Sequence, residues 1–580
     1  MTDPQPRQPP RSTAYDIGLE FEATLSTQQR RQGAHYTPPD VAEALVEQAW
    51  RFLRHPTPVV CDPSCGGAVF LIAAAQRLRR EGLDPADIVN RHLVGIDLNP
   101  DAVQAATTAL QTWAREAGAT REVTPRVVCA DALFAGGQLQ GGLFEDGPTA
   151  GLPADATIDL VIGNPPFQNQ LDASTARTAD ARRAMAQRFG PDVRAYVDIA
   201  AVFQLRALEL AAPDGVVCLV QPRSFLAARD AETVRRRMLA AGALASVWLP
   251  RDKVFGAEVD VCATTLQLGA AARPVEVTGG RLGEMPHGEV DAELLAESAT
   301  WSALWARARG VPSVAPPAGH HGTIGDLATA TAGFRDEFYA LVAHLSDGPL
   351  APGRGARVIS TAMIDPLTSS WATREVKIGG GKRTSPWVDR DALDDAAPRV
   401  GNWVGRLAVP KVLVATQTKV IEAALDADGD TVPLTPVLAV VPMAVVPMAV
   451  GADAAPAACP SQPDDASPVA DPSPVAMLAA ALSVPAASAW AATRFGGGGM
   501  SQDSMRLSAR QVLQIPLPVD HDLWRQAARA SLDPPADGDA TGWRELGRLL
   551  NQSWRIDDDD LVDWWLARLP QMSRRSRRLR

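Results

Sequence analysis

From residue 41 onward the chain switches repeatedly between two hydrophobic periodicities. VAEALVEQAWRFLR (41–54) places apolar residues at helical spacing after a Thr37-Pro38-Pro39-Asp40 start signal. TPVVCDP (57–63) is a β-branched run that predicts a strand, AVFLIAAAQRLRR (68–80) predicts a helix, RHLVGIDLN (91–99) a strand and DAVQAATTALQTWAREAG (101–118) a helix. RVVCADAL (126–133) and IDLVIGNPPF (158–167) predict two more strands. A helix from Tyr196 to Leu210, the strand GVVCLVQP (215–222), a helix around 230–240 and the strands ALASVWLP and VCATTLQL follow. Such alternation predicts an α/β domain over residues 31–270, with a doubly wound, mostly parallel sheet and helices on both faces. Ahead of it, residues 1–30 begin polar and proline-rich and place Ile17, Phe21 and Leu25 four apart, which predicts an arm with one short helix. Tyr15, Ile17, Leu19 and Phe21 also alternate at spacing two, so a short strand is the alternative.

The pattern loses its regularity after residue 270. Residues 271–322, ending in RARGVPSVAPPAGHHG, read as a linker. Residues 323–520 read as a mixed α+β domain, in which the Pro/Ala/Asp-rich segment 451–475 is expected to be a flexible insertion. VVPMA occurs at 440–444 and again at 445–449, too short to be a structural repeat. Residues 521–580 predict a tryptophan-rich helical tail ending in the basic SRRSRRLR.

Composition narrows the function classes. With 46% apolar and 21% charged residues the chain can bury a sizeable core, which excludes disorder as its main state. The 56 Lys+Arg against 67 Asp+Glu give a net charge of −11, so any nucleic-acid contact must come from a local basic face. Six scattered cysteines fit a reducing cytoplasm rather than a disulfide framework, and Cys61 and Cys65, with no second pair nearby, make a poor zinc site. The start of the chain lacks the order of a secretory signal. No membrane segment is expected: the longest apolar run, Val437 to Val450, contains Pro442 and Pro447 and reads as a buried strand or apolar insertion.

The chemistry-bearing residues fall at the ends of the expected strands. The first strand runs into Asp62-Pro63-Ser64-Cys65-Gly66-Gly67-Ala68, and glycines between a strand and a helix let the backbone approach a ligand closely. The second ends in Asp97-Leu98-Asn99, where a carboxylate can accept from both hydroxyls of a ribose or cap the helix that starts at Pro100. The third ends in Asp131-Ala132. Three acidic tips on one sheet edge suit a polar, adenosine-sized ligand, and no Lys-Ser/Thr phosphate loop is present. The fourth strand ends in Asn164-Pro165-Pro166-Phe167. Two prolines remove two backbone donors and stiffen the chain, leaving carbonyl oxygens and the Asn164 side-chain oxygen as acceptors for an exocyclic NH2, with Phe167 able to stack on its ring.

GAHYTPPDV, DPSCGGAVF, GIDLN, CADA and DLVIGNPPF, in that order, resemble the motifs of gamma-class, S-adenosylmethionine-dependent N6-adenine DNA methyltransferases of restriction–modification systems. The resemblance implies a seven-stranded Rossmann-like methyltransferase sheet, a C-terminal target-recognition domain and double-stranded DNA as partner. It implies that Tyr36, Thr37 and Pro38 line the methionine side of the cofactor, that Asp62, Pro63, Ser64, Cys65 and Gly66 face its amino-acid part, Asp97 and Leu98 its ribose, and Asp131 and Ala132 its adenine, while Asn164, Pro165, Pro166 and Phe167 receive the target base. Two departures stand out. Ala68 occupies a position where the family usually has glycine, which either crowds the cofactor or is accommodated by a shifted turn. Relatives often supply an aromatic after the next strand; Phe225 is the nearest candidate, and a core role is its alternative.

Ala332-Gly333-Phe334-Arg335-Asp336-Glu337-Phe338-Tyr339 and Pro410-Lys411-Val412-Leu413-Val414 look like pieces of target-recognition domains from the same enzymes. In that domain Lys377, Lys382 and Arg383 cluster around glycines and can follow phosphates or form a solvated hairpin tip; Phe495-Gly496-Gly497-Gly498-Gly499-Met500-Ser501 is a second backbone-rich candidate. The expected activity is adenine-N6 methylation of a specific DNA sequence, with no metal. A separate restriction endonuclease or defence-complex subunits are the expected partners. The alternatives are a non-catalytic DNA- or partner-binding subunit, or a methyltransferase for an amino group of RNA or of protein glutamine.

Overall fold

The strand-forming runs of the first half come together in a single sheet. Strands β1 (Val60–Asp62), β2 (Leu93–Asp97), β3 (Arg126–Cys129), β4 (Ile158–Gly163), β5 (Ala211–Pro222), β6 (Gly242–Trp248), β7 (Val261–Leu268), β8 (Val275–Thr278) and β9 (Gly288–Val290) lie in the order β3-β2-β1-β4-β5-β7-β6-β8-β9. β1 to β5 are parallel, while β7 runs antiparallel to β5 and β6. These seven form the expected sheet, and β8 and β9 extend its edge. The computed structural model describes residues 13–24, 37–134, 158–167, 179–190, 193, 197–254, 259–280, 287–333, 335–348, 350, 354–443, 471–499, 501–570 and 572. They fall into two units, Met1–Gly310 and Val311–Arg580.

In the first unit the helices are α1 (Thr13–Thr24), α2 (Pro39–Trp50), α3 (Val69–Arg80), α4 (Pro100–Glu116), α5 (Ala179–Phe189), α6 (Ile199–Leu210), α7 (Glu232–Ala241), α8 (Ala292–Glu297) and α9 (Ser302–Ala308). The strands are apolar on both faces because each face carries a helical layer. Val60, Leu160, Ile162, Val216 and Val220 pack with α2, α3 and α4, and the alternate residues Cys61, Val94, Val161, Val217 and Leu219 pack with α6, α7 and α9. The N-terminal segment is helical rather than extended: Ala14 and Tyr15 of α1 join the first of these cores.

Where a linker is expected, β8, β9, α8 and α9 are found. Trp301 sits edge-to-face on Phe225 at 5.9 Å, and Leu304 and Val277 are buried beside it. The glycines and prolines there mark turns between short elements, while the tryptophan supplies an anchor that composition alone does not reveal.

The second unit is mixed. One antiparallel sheet joins Ala328–Ala332, Leu438–Pro442, Lys411–Ala415 and Glu422–Asp426, and a mixed sheet joins Leu345–Asp347, Pro386–Asp389, Gly355–Ile359 and Thr431–Pro433, the last two of these strands running parallel. Helices Pro474–Ser483, Pro485–Phe495, His521–Ala530, Ala540–Gln552 and Asp559–Leu566 pack together around the buried Trp543, Trp554 and Trp565. Most of the expected 451–475 insertion and the basic end lie outside the described residues. No single helix among the described residues is long and apolar enough to cross a membrane, and the bent pair Pro474–Ser483 and Pro485–Phe495 is largely buried within this unit.

Candidate active site

The order β3-β2-β1-β4-β5 places a topological switch point between β1 and β4, so a crevice opens at the carboxyl ends of these strands. Asp62 ends β1 there, fully buried, with Oδ1 accepting from the Ser64 N–H at 3.0 Å. Burial pushes its carboxyl up to about 8, the Ser64 hydrogen bond opposing this and the nearby Asp97 adding to it. Gly163, the last residue of β4, is small for a reason: a Cβ built there would lie 2.4 Å from Asp62 Oδ1.

Asp97 ends β2. Its Oδ2 accepts from the Gly66 N–H at 2.9 Å and its Oδ1 from the Asn99 N–H at 2.9 Å, and burial raises its pKa above the usual carboxylate range. Each oxygen keeps a second lone pair for a hydroxyl donor. The cap of α4 is Asn99, which accepts from the Asp101 N–H, so Asp97 is not spent on capping. Beyond β3, Asp131 is exposed and holds a tight turn by accepting from the Leu133 N–H at 3.0 Å. That turn ends β3 at Cys129, earlier than the apolar run suggests.

Asn164 follows β4, half-buried, and its Nδ2 donates to Thr37 Oγ1 at 3.1 Å. Pro165 is buried and Pro166 half-buried; Phe167 is buried within the core on the α2–α3 face. The strand tips carrying Asp62, Asp97, Asp131 and Asn164 therefore share one edge, with Thr37 reaching the last of them from the residue before Pro38 and α2.

Residues 13–277 match the family model described as N-6 DNA Methylase. This part of the chain is similar to N-6 DNA methylases. The Type II methyltransferase M.BanIII of Aneurinibacillus aneurinilyticus is 25% identical over 222 residues, covering 36% of this chain and 33% of the relative, so the chain spans about a third of that protein's length. Among solved structures, the Type IIL restriction-modification enzyme MmeI in complex with DNA is 13% identical, with a TM-score of 0.57 over 96% of this chain and 81% of that one. That likeness concerns the fold.

Within this part of the chain, Tyr36 lies outside the described residues. Phe225 is corrected: only 2% exposed, it faces Trp301 in the core, because a short helix at Arg223–Leu226 turns it inward and Arg235 donates to the carbonyls of Phe225, Ala228 and Ala299 to hold that turn. Two apolar side chains instead stand open at this sheet edge, Leu98 (70% exposed) and Phe134 (41%). They flank the tips that carry Asp97 and Asp131, which is where a planar ring needs apolar surface. Nothing in the sequence pattern separates Phe134, an open aromatic, from a core one.

The glycine-rich turn is held on its outer side by α1. A Cβ on Gly67 would lie 2.4 Å from the Gly18 Cα, and one on Gly18 would lie 2.9 Å from the Gly67 carbonyl oxygen. Helix and turn meet backbone to backbone. Gly18→Ala should therefore loosen α1 although alanine favours helix by about 1 kcal/mol; hydrogen exchange should show faster α1 amides, whereas slower exchange would mean the contact does not constrain the helix.

Ala68 stands in a backbone conformation that usually belongs to glycine. It adopts the left-handed region, φ 68°, at the start of α3, fully buried. A non-glycine residue there carries about 1–2 kcal/mol of strain, and Ala68→Gly recovers it less about 0.4–1 kcal/mol of extra unfolded-chain entropy. The variant should be more stable by about 0.5–1 kcal/mol in urea unfolding; a loss of stability would show that the Ala68 methyl contributes more by packing than it costs in strain.

In the second unit, Lys377 and Lys382 face each other on the exposed side of a hairpin, Val376–Ile378 with Gly381–Arg383, whose tip is Gly379-Gly380. Lys382 pairs with Glu375 at 2.7 Å, and Arg383 is half-buried. Arg335–Ala343 is a helix and Lys411–Ala415 a buried strand whose Lys411 pairs with Asp426. Lys411 is thus committed to the fold and unavailable to a phosphate.

Proposed function

We propose that this chain methylates the N6 amino group of adenine in a specific double-stranded DNA sequence, using S-adenosylmethionine, as the modification enzyme of a restriction–modification or phage-defence system in the cytoplasm. The observation that carries the reading is the Asn164-Pro165-Pro166-Phe167 turn at the switch point, beside the buried Asp62 and on the same edge as Asp97 and Asp131.

The site's donor set fits the cofactor. Asp62, a buried carboxyl that among the described residues accepts from the Ser64 N–H alone, suits an ammonium; Asp97 suits a ribose diol; the outer oxygen of Asp131 suits an adenine amino group, with Leu98 and Phe134 against the ring. Pro63, Ser64, Cys65, Gly66 and Ala132 would form the walls, with Tyr36, Thr37 and Pro38 on the methionine side. When bound, the cofactor supplies a methyl whose S–C bond breaks as the N6–C bond forms, with one N6 proton passing to solvent.

The chain's task is positional. An enzyme cannot reach N6 inside a stacked duplex, so the adenine is turned out into the pocket. Asn164 Oδ1 and the Pro165 carbonyl accept its two N–H groups, drawing the nitrogen lone pair out of ring conjugation and towards the methyl. The two prolines hold the Pro165 carbonyl and the backbone that carries Asn164 in place. Stacking on Phe167 requires a ring face to be uncovered as the base enters. Lys377, Lys382 and Arg383 would follow the phosphate backbone, and a separate endonuclease or defence subunit would share the target sequence.

Incubating the protein with methyl-labelled S-adenosylmethionine and duplex DNA, then digesting to nucleosides, tests the reading. Label is expected in N6-methyldeoxyadenosine. Label only in protein or RNA from a mixed substrate pool would overturn it.

A further inference from the structure

We propose that Thr37 is a positioning residue for the target base, acting through Asn164, in addition to any contact it makes with the cofactor. The inference rests on the function proposed above and assigns Thr37 to a different half of the site from the one its motif implies.

An asparagine amide has two nearly isosteric ends of opposite hydrogen-bond character, and its last torsion is broad. Turned one way, Asn164 presents an oxygen to the incoming amino group; turned the other way, it presents N–H against N–H and repels it. The backbone on one side is stiffened by Pro165 and Pro166. Thr37, only 3% exposed, is stiffened by Pro38 and Pro39, and the Pro38 carbonyl accepts from the Val41 and Ala42 N–H groups at 3.0 and 3.1 Å to start α2. Between these two rigid segments the amide torsion is the soft coordinate. The 3.1 Å bond from Asn164 Nδ2 to Thr37 Oγ1 holds the nitrogen on the Thr37 side, which turns Oδ1 to the opposite side, the side proposed for the base.

Thr37 also links the two ligands. A hydroxyl has one donor and two lone pairs; accepting from Asn164 leaves its own O–H to donate towards the cofactor side. Thr37, were its hydroxyl to donate to a bound cofactor, would hold the amide before the base arrives.

The test uses the full chain with Thr37→Val, which keeps shape and loses the acceptor, and Thr37→Ser, which keeps it. In 15N-asparagine-labelled protein, with the Asn164 side-chain signal assigned through Asn164→Ala, water exchange of its Nδ2 protons should be at least about tenfold faster in Thr37→Val and unchanged in Thr37→Ser. The methylation kcat should fall roughly 5- to 20-fold in Thr37→Val, the loss of one hydrogen bond's bias, and be restored in Thr37→Ser, with the calorimetric Kd for S-adenosylmethionine changing less than kcat. Unchanged amide exchange, or a weakened Kd with kcat intact, overturns the proposal and leaves Thr37 as a cofactor contact alone. If the wild-type chain transfers no methyl to adenine, the functional reading fails instead, and the amide-exchange comparison still decides whether Thr37 holds Asn164.

Discussion

Asn164→Ala should slow methyl transfer by about 10²–10³-fold while leaving the proposed cofactor site standing. The residues proposed to hold the cofactor, Asp62, Asp97 and Asp131, take their partners from backbone N–H groups of the turns after β1, β2 and β3, and none is hydrogen-bonded to Asn164. Calorimetry should therefore give a wild-type-like Kd for S-adenosylmethionine. The chemical step, by contrast, loses the side-chain acceptor aimed at the amino group. Removing one such preorganised group costs about 10²–10³-fold in kcat, and the Pro165 carbonyl alone cannot hold both N–H groups. Because the lost bond is made most strongly as the lone pair localises, kcat and kcat/KM should fall together. A variant that turns over like the wild type would remove Asn164 from the mechanism.

Asp62→Asn should have opposite effects on stability and on cofactor binding. The wild-type carboxyl is raised by burial to about 8 in the folded chain, from an ordinary value near 3.8. A raised carboxyl contributes stability that is complete below the ordinary range and is lost as pH rises through the folded value, because the unfolded chain ionises freely and the folded one does not. The asparagine carries no such penalty. The two proteins should melt alike near pH 4, and the variant should gain on the wild type as pH rises, by on the order of 1–3 kcal/mol or a few degrees at pH 8 to 9. Its affinity for S-adenosylmethionine should fall at least about tenfold, since a buried amide cannot match a carboxylate against an ammonium. Between pH 6 and 7, wild-type affinity should climb by up to about tenfold, because Asp62 must release its proton to pair with the ligand's ammonium. A variant that melts below the wild type at pH 8 would mean that Asp62 is ionised and satisfied in the folded chain.

The parts legible in the sequence were those carried by local pattern. Strand runs bounded by helices located β1, β2, β4 and β7, and a parallel sheet necessarily collects the tips Asp62, Asp97, Asp131 and Asn164 on one edge. What stayed hidden depended on contacts between distant segments. Phe225 reads equally as an open aromatic or a core one until Trp301 covers it. Phe134 lies just past Asp131 in an unremarkable segment and becomes notable only through its exposure. β8 and β9 are short and polar on one side, so turn residues dominate their local signal. Ala68 is visible as a departure, but the left-handed backbone it adopts is not. The Thr37–Asn164 bond joins two motifs whose order the sequence displays and whose contact it does not.

The central claim is that the Asn164 turn directs a methyl group to adenine N6 in DNA. Its most direct test is to express the wild-type chain and Asn164→Ala in a host that lacks adenine methylation and to map N6-methyladenine across each genome by long-read sequencing. The account predicts one modified sequence motif with the wild type and a largely unmodified genome with the variant. An unmodified genome from folded wild-type protein that binds S-adenosylmethionine, or equal modification by both proteins, would contradict it.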